Sequence, residues 1–107
     1  MHTGDDFLYL PDSALEGMGL SPAEVADAIE AALIAKSEGR LHTTPKSAIL
    51  PGDDRYMMST LAVGDDGFVV VKQVSLCPEN PGRGLPTING AIMVLDAVTG
   101  KLRAMVG

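Results

Sequence analysis

One lysine in this chain stands where a charge is expensive. Alternate residues of a strand share a face, so a strand over Phe68–Leu76 aligns Phe68, Val70, Lys72, Val74 and Leu76. An unpaired ammonium within an apolar face costs free energy. Two readings account for it. Either the strand lies at a sheet edge and Lys72 snorkels to water, or Lys72 lines a cleft and holds an anionic ligand. Lys46 is the second candidate. It follows Pro45 and shares a face with Thr44, Ala48 and Leu50 if 43–50 is one strand. Alone it reads as a solvated residue. Beside Lys72, the two ammonium groups would bind a carboxylate through charge-assisted hydrogen bonds. The segment 78–87 holds Pro78, Pro81 and Pro86 with Gly82 and Gly84. Such a loop either builds a binding edge or merely caps the sheet.

Other chemistries lack their residues. Gly82-Arg83-Gly84-Leu85-Pro86-Thr87 has no glycine at its sixth position, and its proline would not open a helix. His2 and His42 are too few for a histidine-rich metal site, and Cys77 is the single cysteine, so no metal centre and no internal disulfide are expected. The net charge is −6 and the bases are scattered singly, which argues against nucleic-acid backbones and anionic membranes as partners. The pairs Asp5–Asp6, Asp53–Asp54 and Asp65–Asp66 adjoin glycines and read as turns. No apolar run reaches membrane-spanning length and no leader-like start is visible, so a cytoplasmic protein is expected.

The elements that must position the lysines can be read in order. Phe7–Leu10 suggests a first strand, stopped by Pro11-Asp12-Ser13, with a short helical turn through Leu15. Ser21-Pro22-Ala23-Glu24 has the form of a capping box with proline at the first helical position. Val25, Ala28, Ile29, Ala32 and Leu33 then recur at helical spacing as a stripe expected to be buried. Gly39 ends the helix. Strands are expected over 43–50, 55–63 and 68–76, followed by a hairpin of 91–95 with 101–106 around Asp96–Gly100. The fold class is therefore α+β: a strand and helix packed on a mostly antiparallel sheet. The whole chain, 1–107, reads as a single domain without a dinucleotide-binding fold of its own. With 46% hydrophobic residues but 4% aromatics, its core must be aliphatic and small. A domain this size gains from pairing with another domain or a second copy.

The order of motifs from Lys72 onward resembles the ornithine cyclodeaminase/mu-crystallin family. The matching residues are Lys72, then Asn80-Pro81-Gly82-Arg83-Gly84-Leu85-Pro86-Thr87, then Leu95-Asp96-Ala97-Val98-Thr99-Gly100 and a closing strand ending at Gly107. The resemblance implies that this chain is the N-terminal substrate-binding and dimerisation domain, and that a Rossmann domain binding NAD or NADP follows in the full-length protein. This chain alone would then bind no cofactor. The resemblance further implies a homodimer and an amino-acid or imine substrate, with hydride transfer at the α-carbon in a cyclodeaminase, dehydrogenase or imine reductase reaction. It assigns Lys72 to substrate contact and catalysis. Lys46 falls where many members carry an arginine for the substrate carboxylate. Lysine supplies the charge without the bidentate fork. The alternative is a stand-alone dimerising or small-ligand-binding module without catalysis.

Overall fold

The computed structural model of the protein describes residues 7–107; His2 and the pair Asp5–Asp6 lie outside them. Strand β1 (Leu8–Leu10) leads into helix α1 (Asp12–Glu16) and helix α2 (Pro22–Ser37). Six strands follow: β2 (Leu41–Thr43), β3 (Ser47–Ile49), β4 (Tyr56–Gly64), β5 (Phe68–Leu76), β6 (Ile88–Asp96) and β7 (Leu102–Val106). All seven strands form one mixed sheet in the order β1-β7-β6-β5-β4-β2, with β3 also paired to β4. Only β1 and β7 run parallel. The expected α+β class and its antiparallel bias are what the chain adopts.

Local chemistry sets the ends of the elements. The Ser21 hydroxyl accepts the Glu24 backbone N–H at 3.1 Å, and Pro22 begins α2 without an N–H to satisfy. At the other end Gly39 has φ 77°. There Arg40 N–H bonds to Ala35 O at 2.8 Å and Gly39 N–H to Lys36 O at 3.2 Å. That pair of bonds is the Schellman arrangement. The β4–β5 turn closes at Gly67, with φ 91°, while Asp66 Oδ1 accepts the Phe68 N–H.

The β6–β7 turn is held by Asp96, whose Oδ1 accepts the N–H groups of Thr99 at 3.0 Å and Val98 at 2.8 Å. These bonds, aided by Arg103, hold the Asp96 carboxyl below the usual carboxylate range. A depressed folded-state pKa adds stability that is complete above the unfolded carboxylate value and disappears as pH falls through the folded one. Asp96→Ala should therefore lower the thermal midpoint at neutral pH. The gap from wild type should narrow as pH is taken below about 4. Parallel melting curves across that range would remove Asp96 from the turn's stability.

Two expectations need correction. The first is the stripe of α2, which is uncovered: Val25, Ile29 and Leu33 are 45%, 55% and 64% exposed. The helix meets the sheet chiefly alongside β2, so it lies at an edge and its apolar side stays largely uncovered. Among the described residues no hydrophobic side chain is fully buried. The radius of gyration is 16.1 Å, against roughly 13 Å for a compact domain of this length. The sheet is thus a slab with open faces and not a closed aliphatic core.

The second correction concerns the single strand expected over 43–50. The chain forms β2 and β3 there, both on the same edge of β4. Between the pairs Thr43↔Ala62 and Ser47↔Ser59, residues 44–46 face residues 60–61. This is a β-bulge with one extra residue on the outer strand. Pro45 has no N–H to give a ladder and is at home at such a place. Thr44 repairs the ladder: its N–H donates to Leu61 O at 3.0 Å, and its hydroxyl accepts the Leu61 N–H at 3.2 Å.

Candidate functional site

The sheet register brings the two candidate lysines into line. Thr60 pairs with Lys72, Lys72 with Ile92, and Ile92 with Val106. Directly opposed residues project to the same face, so these four form a transverse row. Extending the β3 register by one residue from Ser47↔Ser59 sets Lys46 opposite Thr60. The bulge is responsible for this. Continuing the β2 register would have set Lys46 opposite Ser59, on the other face, because a one-residue slip reverses every side chain. On that extension Lys46, which itself lies outside β3 and is exposed, falls on the face of Lys72 two strand spacings away, or about 9–10 Å between backbones. Long lysine side chains can converge over that span on one small carboxylate. Ala48, opposite Met58, shares this face as expected. Thr44 does not join it as a site residue, since its hydroxyl is committed to the Leu61 backbone.

Lys72 does not lie on an edge. Strand β5 is flanked along its whole length by β4 and β6, so the expected edge position is overturned, while the Lys72 side chain is exposed to water as that reading has it. Its neighbours on the face are Met58, Val70, Val74 and Ile92, all half-buried. A cleft of about 380 Å³ opens on the β6 side of Lys72, lined by Leu15, Lys72, Val74, Gly90, Ile92 and Val106 among others; Lys46 and Thr60 are not part of its lining. Leu15 comes from α1, so the first helix walls one side. The one acidic residue on this face of β4, β5 and β6 is Asp96. It stands four residues along the sheet from the Lys72 row, roughly 13 Å, and is occupied by its own turn and by Arg103 at 3.5 Å.

The opposite face is different. Tyr9, Met105, Met93, Val71 and Leu61 form a continuous transverse row there. It carries no charge and suits packing against another surface.

The loop between β5 and β6 is built around Asn80, the one buried polar side chain among the described residues. Its Nδ2 donates to Pro86 O at 3.0 Å and its Oδ1 accepts from Arg83 at 3.1 Å. Cys77 N–H closes the base on Thr87 O at 2.8 Å. The glycines of this loop do not open a helix. Gly82 lies in the 3₁₀ turn Asn80–Arg83 and Gly84 follows it, and the chain continues into a strand, not into the N-terminus of a helix. No group of three or more His, Cys, Asp or Glu is placed to hold a metal among the described residues. No helix among them is long and apolar enough to cross a membrane.

Three residues of consequence were not singled out in the sequence. Thr60 escapes notice because its place in the lysine row depends on the bulge. Asn80 looks like an ordinary loop residue until its burial is known. Gly90 did leave a signal, an isolated glycine within an apolar strand, which often marks close backbone approach.

The sequence pattern of the ornithine cyclodeaminase/mu-crystallin family matches residues 13–107. Delta(1)-pyrroline-2-carboxylate reductase 1 of Burkholderia multivorans is 33% identical over 60 residues, covering 56% of this chain and 19% of the relative. The solved Delta(1)-pyrroline-2-carboxylate reductase of Thermococcus litoralis, in complex with NADH and L-proline, superposes with a TM-score of 0.84 at 28% identity. The match covers 94% of this chain and 31% of that one. An archaeal alanine dehydrogenase dimer with bound NAD gives 0.83 at 26% identity, over 94% and 30% of the two chains. This chain thus spans between a fifth and a third of the length of these relatives.

Proposed function

This chain belongs to the ornithine cyclodeaminase/mu-crystallin family, and from that premise we propose that it is the substrate-binding part of an NAD(P)-dependent reductase acting on a cyclic or open-chain imino acid. The observation that carries the reading is Lys72 at the centre of an otherwise apolar face, with the β3 register, continued past Ser47, setting Lys46 toward the same row. Two ammonium groups above Val70, Val74, Met58 and Ile92 suit a small molecule with a carboxylate at one end and an uncharged body. Such a site holds its ligand by the charged end and fixes the orientation of the rest.

Among the family's reactions, imine reduction is favoured over diamino-acid cyclisation. Delta(1)-pyrroline-2-carboxylate reductases stand among the chain's relatives in sequence and in fold. Within this reading Lys46 binds the carboxylate. Lys72 binds it too and stands at the reacting centre, where an ammonium can deliver a proton as hydride arrives at the α-carbon. In this reading the nicotinamide is held by another part of the protein, as expected for a chain that spans about a third of its NAD-binding relatives. The uncovered α2 stripe and the apolar row of the opposite face support an assembly in which a second domain and a second copy cover them.

The test is an assay of the longer protein that carries this chain. It should oxidise NADH or NADPH when given Delta(1)-pyrroline-2-carboxylate, and L-proline should inhibit better than L-ornithine. Turnover of ornithine with release of ammonia, and none of the imine, would refute the reading.

A further inference from the structure

We propose that the Thr60 hydroxyl is a third ligand of the substrate carboxylate, set between the two lysines; this rests on the reading of the face as an imino-acid site. Three successive rows of β4, β5 and β6 form a block of nine positions. Those rows are Met58–Val74–Gly90, Thr60–Lys72–Ile92 and Ala62–Val70–Val94. Thr60 and Lys72 are the polar side chains in the block, and they are directly opposite each other. The bulge adds Lys46 on the outer side of Thr60. The sequence of groups across the sheet is therefore ammonium, hydroxyl, ammonium.

Thr60 is half-buried, and no hydrogen bond among the described residues engages its hydroxyl. Two other threonines are occupied. Thr44 serves the Leu61 backbone and Thr99 accepts the Lys101 N–H. A half-buried hydroxyl without a protein partner is costly once the face is covered, and it gains most by donating to an anion. A carboxylate has about four lone-pair directions. Two lysines spaced two strands apart leave some of those unfilled, and a hydroxyl from the intervening strand lies where it can fill one. The preference of threonine for strands explains why it is tolerated at this position. It does not explain why the hydroxyl falls in the lysine row and not in the rows beside it.

The site so defined takes a small monocarboxylate whose remaining atoms are apolar or carry the imine alone. Its test uses the longer protein and three forms: wild type, Thr60→Val and Thr60→Ser. Valine keeps the branched shape and removes the hydroxyl. The imino-acid KM of Thr60→Val should rise about tenfold, the effect expected for one hydrogen bond to a charged group, while kcat and the thermal midpoint stay near wild type. L-proline inhibition should weaken by the same factor. Thr60→Ser should restore both to within about threefold. A Thr60→Val protein with unchanged KM, or a serine variant as weak as valine, overturns this assignment alone. A wild type that oxidises neither nicotinamide with any imino acid overturns the reading of the face and this assignment with it.

Discussion

Lys72→Met should lower kcat of the longer protein by roughly 10²–10⁴-fold, the range lost when a positioned acid or base is removed, with little change in its thermal midpoint. Methionine has nearly the length of lysine and adapts to irregular apolar surroundings, so the packing beside Val70, Val74 and Ile92 survives. What disappears is the charge at the centre of the sheet. None of the ion pairs among the described residues uses Lys72, so its removal strands no buried partner. That separates the expected loss from a folding defect. Steady-state kinetics and a melting curve on the same preparation check both halves. Normal turnover would take Lys72 out of the mechanism, and a collapsed melting curve would make it structural.

The second large effect concerns stability. Gly90 pairs with Val74 beside the Lys72 row, and a Cβ built on it would come 2.4 Å from the backbone carbonyl oxygen of Gln73. That oxygen belongs to a strand bonded on both sides, so it cannot retreat as a flexible side chain would. Gly90→Ala should destabilise the protein by about 1–3 kcal/mol, the usual cost of overpacking. Gly90→Val, bulkier still, should cost more and deform the cleft. Chemical denaturation of the two variants measures this. A midpoint for Gly90→Ala equal to wild type would show that β5 and β6 can part at this point, contrary to the close approach.

The sheet and both helices were legible because their signals are local. Ser21-Pro22-Ala23-Glu24 and Gly39 bracket α2, and the glycine and aspartate turns bracket β4 and β5. Lys72 stood out by alternation alone. What sequence could not supply was the lateral order of the strands. Whether β5 is central or at an edge is a long-range fact, and the two readings of Lys72 turned on it. The bulge at 44–46 was also hidden. Pro45 marks a place where a ladder bond is missing, but not which way the register shifts. That shift decides whether Lys46 shares a face with Lys72 and whether Thr60 falls between them. The stripe of α2 was misjudged for a related reason. Periodicity shows that an apolar side exists and says nothing about whether this chain or another surface covers it.

The central claim is a division of labour, in which this chain holds the imino acid by its carboxylate and another part of the protein holds the nicotinamide. Its most direct test is a pair of binding titrations on the longer protein carrying Lys46→Met and Lys72→Met together, one with NADH or NADPH and one with L-proline in the presence of the oxidised nucleotide. The account predicts dinucleotide affinity within a few-fold of wild type and L-proline affinity weakened by about 100-fold or more, as two charge-assisted hydrogen bonds are lost. Unchanged L-proline binding together with lost dinucleotide binding would contradict it, and would place these lysines on the cofactor.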